Sequence, residues 1–198
     1  MNICILGSGR GSNCQAILQA FQNQKEKNCK ISAVFSDNED ARILNIANSH
    51  GIDAKYLPSG GSSCRLDPSL EKGWIEQIQS YNPDFLVLAG FMRILSPTFI
   101  HSFNENIINI HPSLLPSFKG LNAIQQAWEY GVKITGCTIH WVNSEIDSGK
   151  IIAQAPVRIM PTDTLELLQQ KIQAAEHMLL PWVILDIANG VIPLNHDV

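Results

Sequence analysis

The chain has 198 residues, of which 45% are hydrophobic and 16% charged, with a formal net charge of -4. That length supports one sizeable core rather than two comfortable domains, and the composition excludes long disorder. No Lys/Arg-rich block is present, so the electrostatic footprint of a nucleic-acid binder is missing. Five cysteines (Cys4, Cys14, Cys29, Cys64 and Cys137) are scattered without a C-x-x-C pair. An odd count without close spacing speaks against a disulfide framework or a zinc site and for thiols in a reducing compartment. Met1 leads straight into an apolar run, without the basic and apolar regions of a signal peptide. No stretch approaches the roughly 20 apolar residues of a membrane span; the best candidate, 178–188, contains Pro181 and Asp186. The expected location is the cytoplasm.

Residues 2–6 read as a strand running into Gly7-Ser8-Gly9-Arg10-Gly11-Ser12-Asn13. Ile17, Leu18 and Phe21 then share one side of a helix, with Ser12 or Asn13 as the expected N-cap. Strand, glycine loop and helix together aim backbone N–H groups and a positive helix end at a phosphate. With a second strand at 31–35 and Asp37 after it, a dinucleotide site is the tempting reading. The spacing is G-x-G-x-G, however, and Ser12 stands where the third glycine of that fingerprint belongs. A monophosphate site fits better, and a plain structural turn is the simpler alternative.

Ala41, Ile43, Leu44, Ile46 and Ala47 set a helix pattern over 39–50, and a third strand is expected at 54–57. Residues 58–64, rich in glycine and serine, form the expected mobile loop. Asp67-Pro68 supplies an N-cap with proline at the first helical position, opening a helix toward Tyr81. The strand at 84–89 is apolar almost throughout, as a central parallel strand covered on both faces should be. Residues 90–95 leave its carboxyl end, where open α/β sheets bind ligands. Position rather than composition makes Met92, Ile94 and Leu95 candidates there. Ser96-Pro97 starts another short helix.

Ile107-Ile108 ends a buried strand that enters Asn109-Ile110-His111-Pro112-Ser113-Leu114-Leu115-Pro116. Residues two apart in a strand face the same side, so Asn109 and His111 present an amide and an imidazole to one place. Such a pair can hold a developing oxyanion and move a proton, although the triplet alone equally describes a polar strand end. A helix over 121–130 closes at Gly131 with an αL cap. In the strand at 135–142, Thr138, His140 and Val142 share one face and Cys137, Ile139 and Trp141 the other. A polar turn at 143–149 leads to a strand at 150–157. The last large helix runs from 162 or 163 to 189, with Pro181 expected to kink it. Alternating β and α elements without an internal repeat make one doubly wound, Rossmann-like α/β domain, its mostly parallel sheet flanked by helices.

Four separated blocks stand in order along the chain: Gly7 to Asn13, AGFMRILSP at 89–97, NIHPSLLP at 109–116 and H-x-V-x-x-x-x-D-x-G at 140–149. With Glu176-His177 and the residues to Pro181, they resemble the phosphoribosylglycinamide formyltransferases, folate-dependent enzymes of purine biosynthesis. The central motif marks the wider group of formyltetrahydrofolate-using enzymes; the glycine loop and the Glu176 block narrow it. The resemblance implies that Asn109 donates to the oxyanion of a tetrahedral intermediate and His111 acts as general acid. Asp147 would favour the imidazolium and hold its orientation, and His140 would support them. It further implies that Gly11, Ser12 and Asn13 bind the substrate's phosphate, with Gln173 and Glu176 near its ribose and glycinamide. A folate pocket would form from Met92, Arg93, Ile94 and Leu95 with Asn143, Ser144, Glu145 and Ile146, and Arg65 would contact the benzoylglutamate tail. Leu115–Pro116 would be a cis peptide.

Residues 1–198 would thus be a single formyltransferase domain, with a phosphate-binding half (1–100) and a catalytic and folate-binding half (101–198). The implied co-substrate is 10-formyltetrahydrofolate, with no metal called for. Small molecules are the expected partners, with neither nucleic acid nor membrane, and the expected state is a monomer or homodimer. One departure is Asn122, where many members carry histidine after the Gly-Leu pair. Formyltetrahydrofolate deformylases often carry asparagine nearby, after a similar Phe118-Lys119-Gly120. They usually have an extra N-terminal regulatory domain and lack the glycine loop. A methionyl-tRNA formyltransferase would need a further C-terminal domain, and a non-catalytic nucleotide-binding module is the remaining alternative. His50, His101, His177 and His196 are expected to be solvated or structural.

Overall fold

Phe85, Leu86, Val87 and Leu88 are all buried, because β4 (Phe85–Leu88) lies mid-sheet between β1 (Asn2–Leu6) and β5 (Ile107–His111). The computed structural model describes residues 1–22, 28–61 and 64–195. Residues 62 and 63 of the expected mobile loop, and His196, lie outside the described residues. With β2 (Lys30–Ser36), β3 (Asp53–Tyr56), β6 (Ile134–Trp141) and β7 (Ile151–Arg158), the sheet has seven strands in the order β3-β2-β1-β4-β5-β6-β7. Pairing is parallel from β3 to β5 and antiparallel for β5–β6 and β6–β7. The doubly wound, mostly parallel expectation holds.

Strand alternation divides the core into two layers. On one face, Ile3, Ile5, Val87 and Ile108 pack with Ile17, Ile43 and Ile184. These come from α1 (Ser12–Gln22), α2 (Arg42–Ser49) and α6 (Leu165–Ala188). On the other face, Cys4, Leu6, Leu86 and Ile107 pack with Trp74, Ile78, Phe99 and Ile100. Those helices are α3 (Pro68–Gln79) and α4 (Pro97–Ser102); α5 (Ala123–Tyr130) sits beside α6. Each fully buried large side chain contributes roughly 1.5–3 kcal/mol.

Local chemistry sets the helix ends. Asp67 accepts from Ser69 N at 2.8 Å, Ser96 from Phe99 N at 3.1 Å and Thr164 from Leu167 N at 3.2 Å, each satisfying an orphan first-turn donor. Gly131 closes α5 at φ 81°, as the sequence predicts. The N-cap expected at Ser12 or Asn13 needs correcting. α1 begins at Ser12, directly after Gly11 with φ +73°, so both side chains belong to the first turn and reach sideways to α6. α6 continues through Pro181, which is buried; its ring has no N–H to give the His177 carbonyl.

β1 and β4 are neighbours whose onward connections run to opposite sides of the sheet, so a crevice opens beyond their carboxyl ends. The loop after β1 and the loop after β4 meet there, with Ser8 N donating to the Gly90 carbonyl at 3.1 Å. β5 ends beside them.

Candidate active site

β5 presents Asn109 and His111 from one face, opposite His140 and Thr138 of antiparallel β6. Asn109 Nδ2 lies 3.2 Å from His140 Nε2. His140 Nδ1 is 2.9 Å from the Trp141 carbonyl, so that nitrogen donates, which leaves Nε2 as the ring atom turned toward Asn109. His111 is buried. Its Nε2 donates to the Phe118 carbonyl at 2.9 Å, and its Nδ1 faces Asp147 Oδ2 at 3.3 Å. Both partners are acceptors, so the ring is fully satisfied only as the imidazolium.

Asp147 arrives from the turn after β6, at φ 47°, a left-handed conformation that costs roughly 1–2 kcal/mol for a non-glycine residue. Its contacts offset that cost. Oδ2 also accepts from Gly120 N at 2.8 Å, and Oδ1 is 3.6 Å from His140 Nε2. Burial is the largest single influence on this carboxyl and opposes its charge. The His140 contact, the Gly120 N–H and the two imidazole charges together outweigh it and hold Asp147 below the usual carboxylate range.

The loop after β5 is fixed from beneath. Thr138 Oγ1 accepts from Leu115 N at 3.0 Å and donates to the Ser113 carbonyl at 2.7 Å. Gln154 Nε2 donates to the Leu115 carbonyl at 2.9 Å. Leu115–Pro116 is cis, and the chain then bends back so that the Phe118 carbonyl and Gly120 N–H reach the His111–Asp147 pair.

The glycine loop forms the other end of the crevice. Gly11 is buried with φ +73°, and a Cβ there would stand 2.7 Å from Ile43 Cα; only glycine fits. Ile43 N donates to the Gly9 carbonyl at 3.2 Å, fixing the loop against α2. The first N–H groups of α1 have no intrahelical acceptor. Gln173 Nε2 donates to Ser12 Oγ at 2.7 Å, and Asn13 Nδ2 donates to Glu176 Oε2 at 3.0 Å. Burial pushes the Glu176 carboxyl up, with only the Asn13 bond acting against it. Asn13 Oδ1 is buried with no partner among the described residues.

Between these ends lies the loop after β4. Met92 is 63% exposed, whereas Leu95 is buried in the core with Phe91 and Trp74. Of the four predicted pocket residues in this loop, Leu95 therefore belongs to the wall's foundation. Arg65 forms a β-bridge with Ile94, which places its main chain beside this loop. Asn143, Ser144, Glu145 and Ile146 are exposed, and Asn143 Oδ1 accepts from Glu145 N at 3.1 Å to shape their turn. Lys119 Nζ donates to Ser148 Oγ at 2.6 Å, tying that turn to the loop after β5.

A family model described as formyl transferase matches residues 1–184. The chain belongs to this family. It is 39% identical over 197 residues to the phosphoribosylglycinamide formyltransferase of Escherichia coli (strain K12), a match covering 100% of this chain and 92% of that one. The crystal structure of phosphoribosylglycinamide formyltransferase from Anaplasma phagocytophilum superposes with a TM-score of 0.89 at 44% identity, covering 99% of this chain and 90% of that one. Glycinamide ribonucleotide transformylase 1 from Symbiobacterium toebii gives a TM-score of 0.90 at 37% identity, covering 98% and 91%.

In this formyl transferase the nucleophilic options are few. Burial pushes the Cys4, Cys14 and Cys137 thiols up to about 12, so none supplies a thiolate near neutral pH. Among the described residues, no group of three His, Cys, Asp or Glu side chains could hold a metal ion, and no helix is long and apolar enough to cross a membrane. Of the other histidines, His50 Nδ1 lies 2.9 Å from the Ile46 carbonyl of its own helix, and the His101 side chain is 87% exposed. Sequence reasoning missed the Phe118 carbonyl and the Gly120 N–H, which are main-chain groups without a residue-type signature. It also missed Thr138 as the anchor of the loop after β5, although the β6 alternation had already put Thr138 on the right face.

Proposed function

We propose that the chain transfers the formyl group of 10-formyltetrahydrofolate to the amine of 5-phosphoribosylglycinamide, a step of purine biosynthesis. The carrying observation is that Asp147 stands 3.3 Å from His111 and 3.6 Å from His140, with Asn109 bonded to the second imidazole. An amide donor, an imidazolium and a carboxylate thus face one point, which is the equipment acyl transfer to an amine requires.

In this reading the substrate amine attacks the formyl carbon, and the carbonyl oxygen becomes an oxyanion that the Asn109 amide N–H receives. The bond from that carbon to folate N10 then breaks. One proton reaches N10 from His111, and the proton lost by the attacking nitrogen passes to the imidazole left neutral, so the net transfer is proton-neutral and the ring ends as it began. His111 supplies the proton to N10, through the nitrogen whose 3.3 Å contact to Asp147 is the looser of its two. Asp147 keeps the ring charged and oriented. The first turn of α1, at Gly11, Ser12 and Asn13, receives the phosphate, and Gln173 and Glu176 border the ribosylglycinamide. Met92, Arg93 and Ile94, on the foundation that Leu95 provides, enclose the pterin with the turn Asn143 to Ile146, and Arg65 meets the folate tail. Holding both substrates in line supplies much of the remaining rate.

The same reading places the chain in the cytoplasm, acting on small molecules rather than nucleic acid or membrane, as a monomer or homodimer. Residues 1–100 would carry the phosphate end and 101–198 the catalytic groups, with Gln173 and Glu176 crossing back. The test is product analysis with purified protein, 10-formyltetrahydrofolate and phosphoribosylglycinamide. Formylated amine should form in step with tetrahydrofolate. Formate released at the same rate with or without the amine would instead mean a deformylase.

A further inference from the structure

The loop from Gly90 to Leu95 has no helix or strand of its own, yet bonds to three other segments hold it. Met92 N donates to Ser8 Oγ at 2.8 Å, and Ile94 N donates to the Cys64 carbonyl at 2.7 Å. The third is ionic: Arg93 Nε lies 2.6 Å from Asp37 Oδ2, with only 19% and 4% of the two side chains exposed. Asp37 follows the carboxyl end of β2, two strands away from β4. Its second oxygen, Oδ1, is buried without a partner among the described residues. Among the described residues, Arg93 is the cation that faces this buried carboxylate.

We propose that Asp37 is a positioning residue for the folate co-substrate: it draws the Arg93 side chain out of the pocket and sets the main chain at 92–94 that faces the ligand. The inference rests on the functional reading above. Two chemical consequences follow from where the pair sits. Nε of the guanidinium is committed to Asp37, just beyond the carboxyl end of β2, and in this reading the pocket wall at Arg93 is its main chain. And because the pair is nearly closed to water, loss of one partner strands a charge, which is far costlier than loss of a surface pair. The same carboxylate position reads a ribose hydroxyl in dinucleotide folds; here Oδ2 is committed to an arginine instead.

The test compares wild type with Asp37→Asn and Arg93→Lys by tetrahydrofolate titration in a calorimeter and by steady-state kinetics with both substrates. A second, neutral pair, Asp37→Asn with Arg93→Gln, removes both charges at once. Asp37→Asn should weaken tetrahydrofolate and raise the KM for 10-formyltetrahydrofolate about tenfold, as for one charged hydrogen bond. kcat and the KM for the amine should stay within about twofold. Arg93→Lys should lose less, and the neutral pair should recover part of the Asp37→Asn loss. Equal losses for both substrates, or a lowered Tm with folate affinity unchanged, would overturn the inference and reduce Asp37 to a structural residue. Should Asp37→Asn not fold, Arg93→Lys and the neutral pair carry the same comparison. Failure of the wild type to bind tetrahydrofolate at all is a different result, and it would take the functional reading down with the inference.

Discussion

Two acidic side chains stand at opposite ends of the crevice, and the protein treats them oppositely. Asp147 is held below the usual carboxylate range by His140, the Gly120 N–H and His111, which together outweigh burial. Glu176, at the α1–α6 end, is pushed up by burial, against which only the Asn13 amide works. The groups are chemically alike; their partners differ. Asp147 is completed within the chain and serves as a fixed anion. Glu176 is left short of donors, and a substrate carrying an amine and hydroxyls can supply them.

The contrast is broken most severely at the Asp147 end. His111→Ala should lower kcat by about 10²–10⁴-fold, the span of general acid–base catalysis, with little change in the far-UV spectrum; turnover within a few-fold of wild type would remove His111 from the mechanism. Asp147→Asn should cost somewhat less. It removes the charge favouring the imidazolium, so the limb on which activity falls with rising pH should move to lower pH. An unchanged profile would make Asp147 a turn residue only.

At the other end, Glu176→Gln should raise the KM for the amine substrate about tenfold, as loss of a charged hydrogen bond does. The stability effects of the two carboxylates should have opposite signs. A depressed acid stabilises the fold above its unfolded pKa, and that contribution is lost as pH falls through the folded value. Asp147→Asn should therefore lower Tm at pH 7 and matter less in acid. A raised acid destabilises as pH climbs from its unfolded value, 4.5 for glutamate, through its folded one. Glu176→Gln should then match wild type below that window and melt higher above it. Thermal scans across pH decide both; two curves shifted in the same direction would contradict the contrast. The smallest effect is expected at Asn122, which sits in the left-handed region at φ 57°. Asparagine and histidine both tolerate that conformation, so Asn122→His should leave turnover within about twofold, while Asn122→Val should cost roughly 1–2 kcal/mol of stability.

What could be read in advance follows the same division. The face shared by Asn109 and His111, the partner face of Thr138 and His140, and the αL cap at Gly131 all come from fixed periodicities or steric rules. Asp147 was reached only through family resemblance, since no spacing rule brings a turn 36 positions after His111 back onto its ring. Arg93 binding Asp37, and Gln173 binding Ser12, join segments far apart in the chain, and pairing of that kind is settled by the fold rather than by local pattern. The cap expected at Ser12 or Asn13 failed because Gly11, with its positive φ and its close approach to Ile43, lets α1 start without a side-chain cap.

The most direct measurement of the account is a carboxyl ¹³C NMR titration of Asp147 in the folded protein. The account predicts a midpoint below 3.8, the ordinary aspartate value, rising when His140 or His111 is replaced by a neutral side chain. A wild-type midpoint at or above 3.8 would mean that burial governs Asp147 and that the two imidazoles do not hold it as an anion.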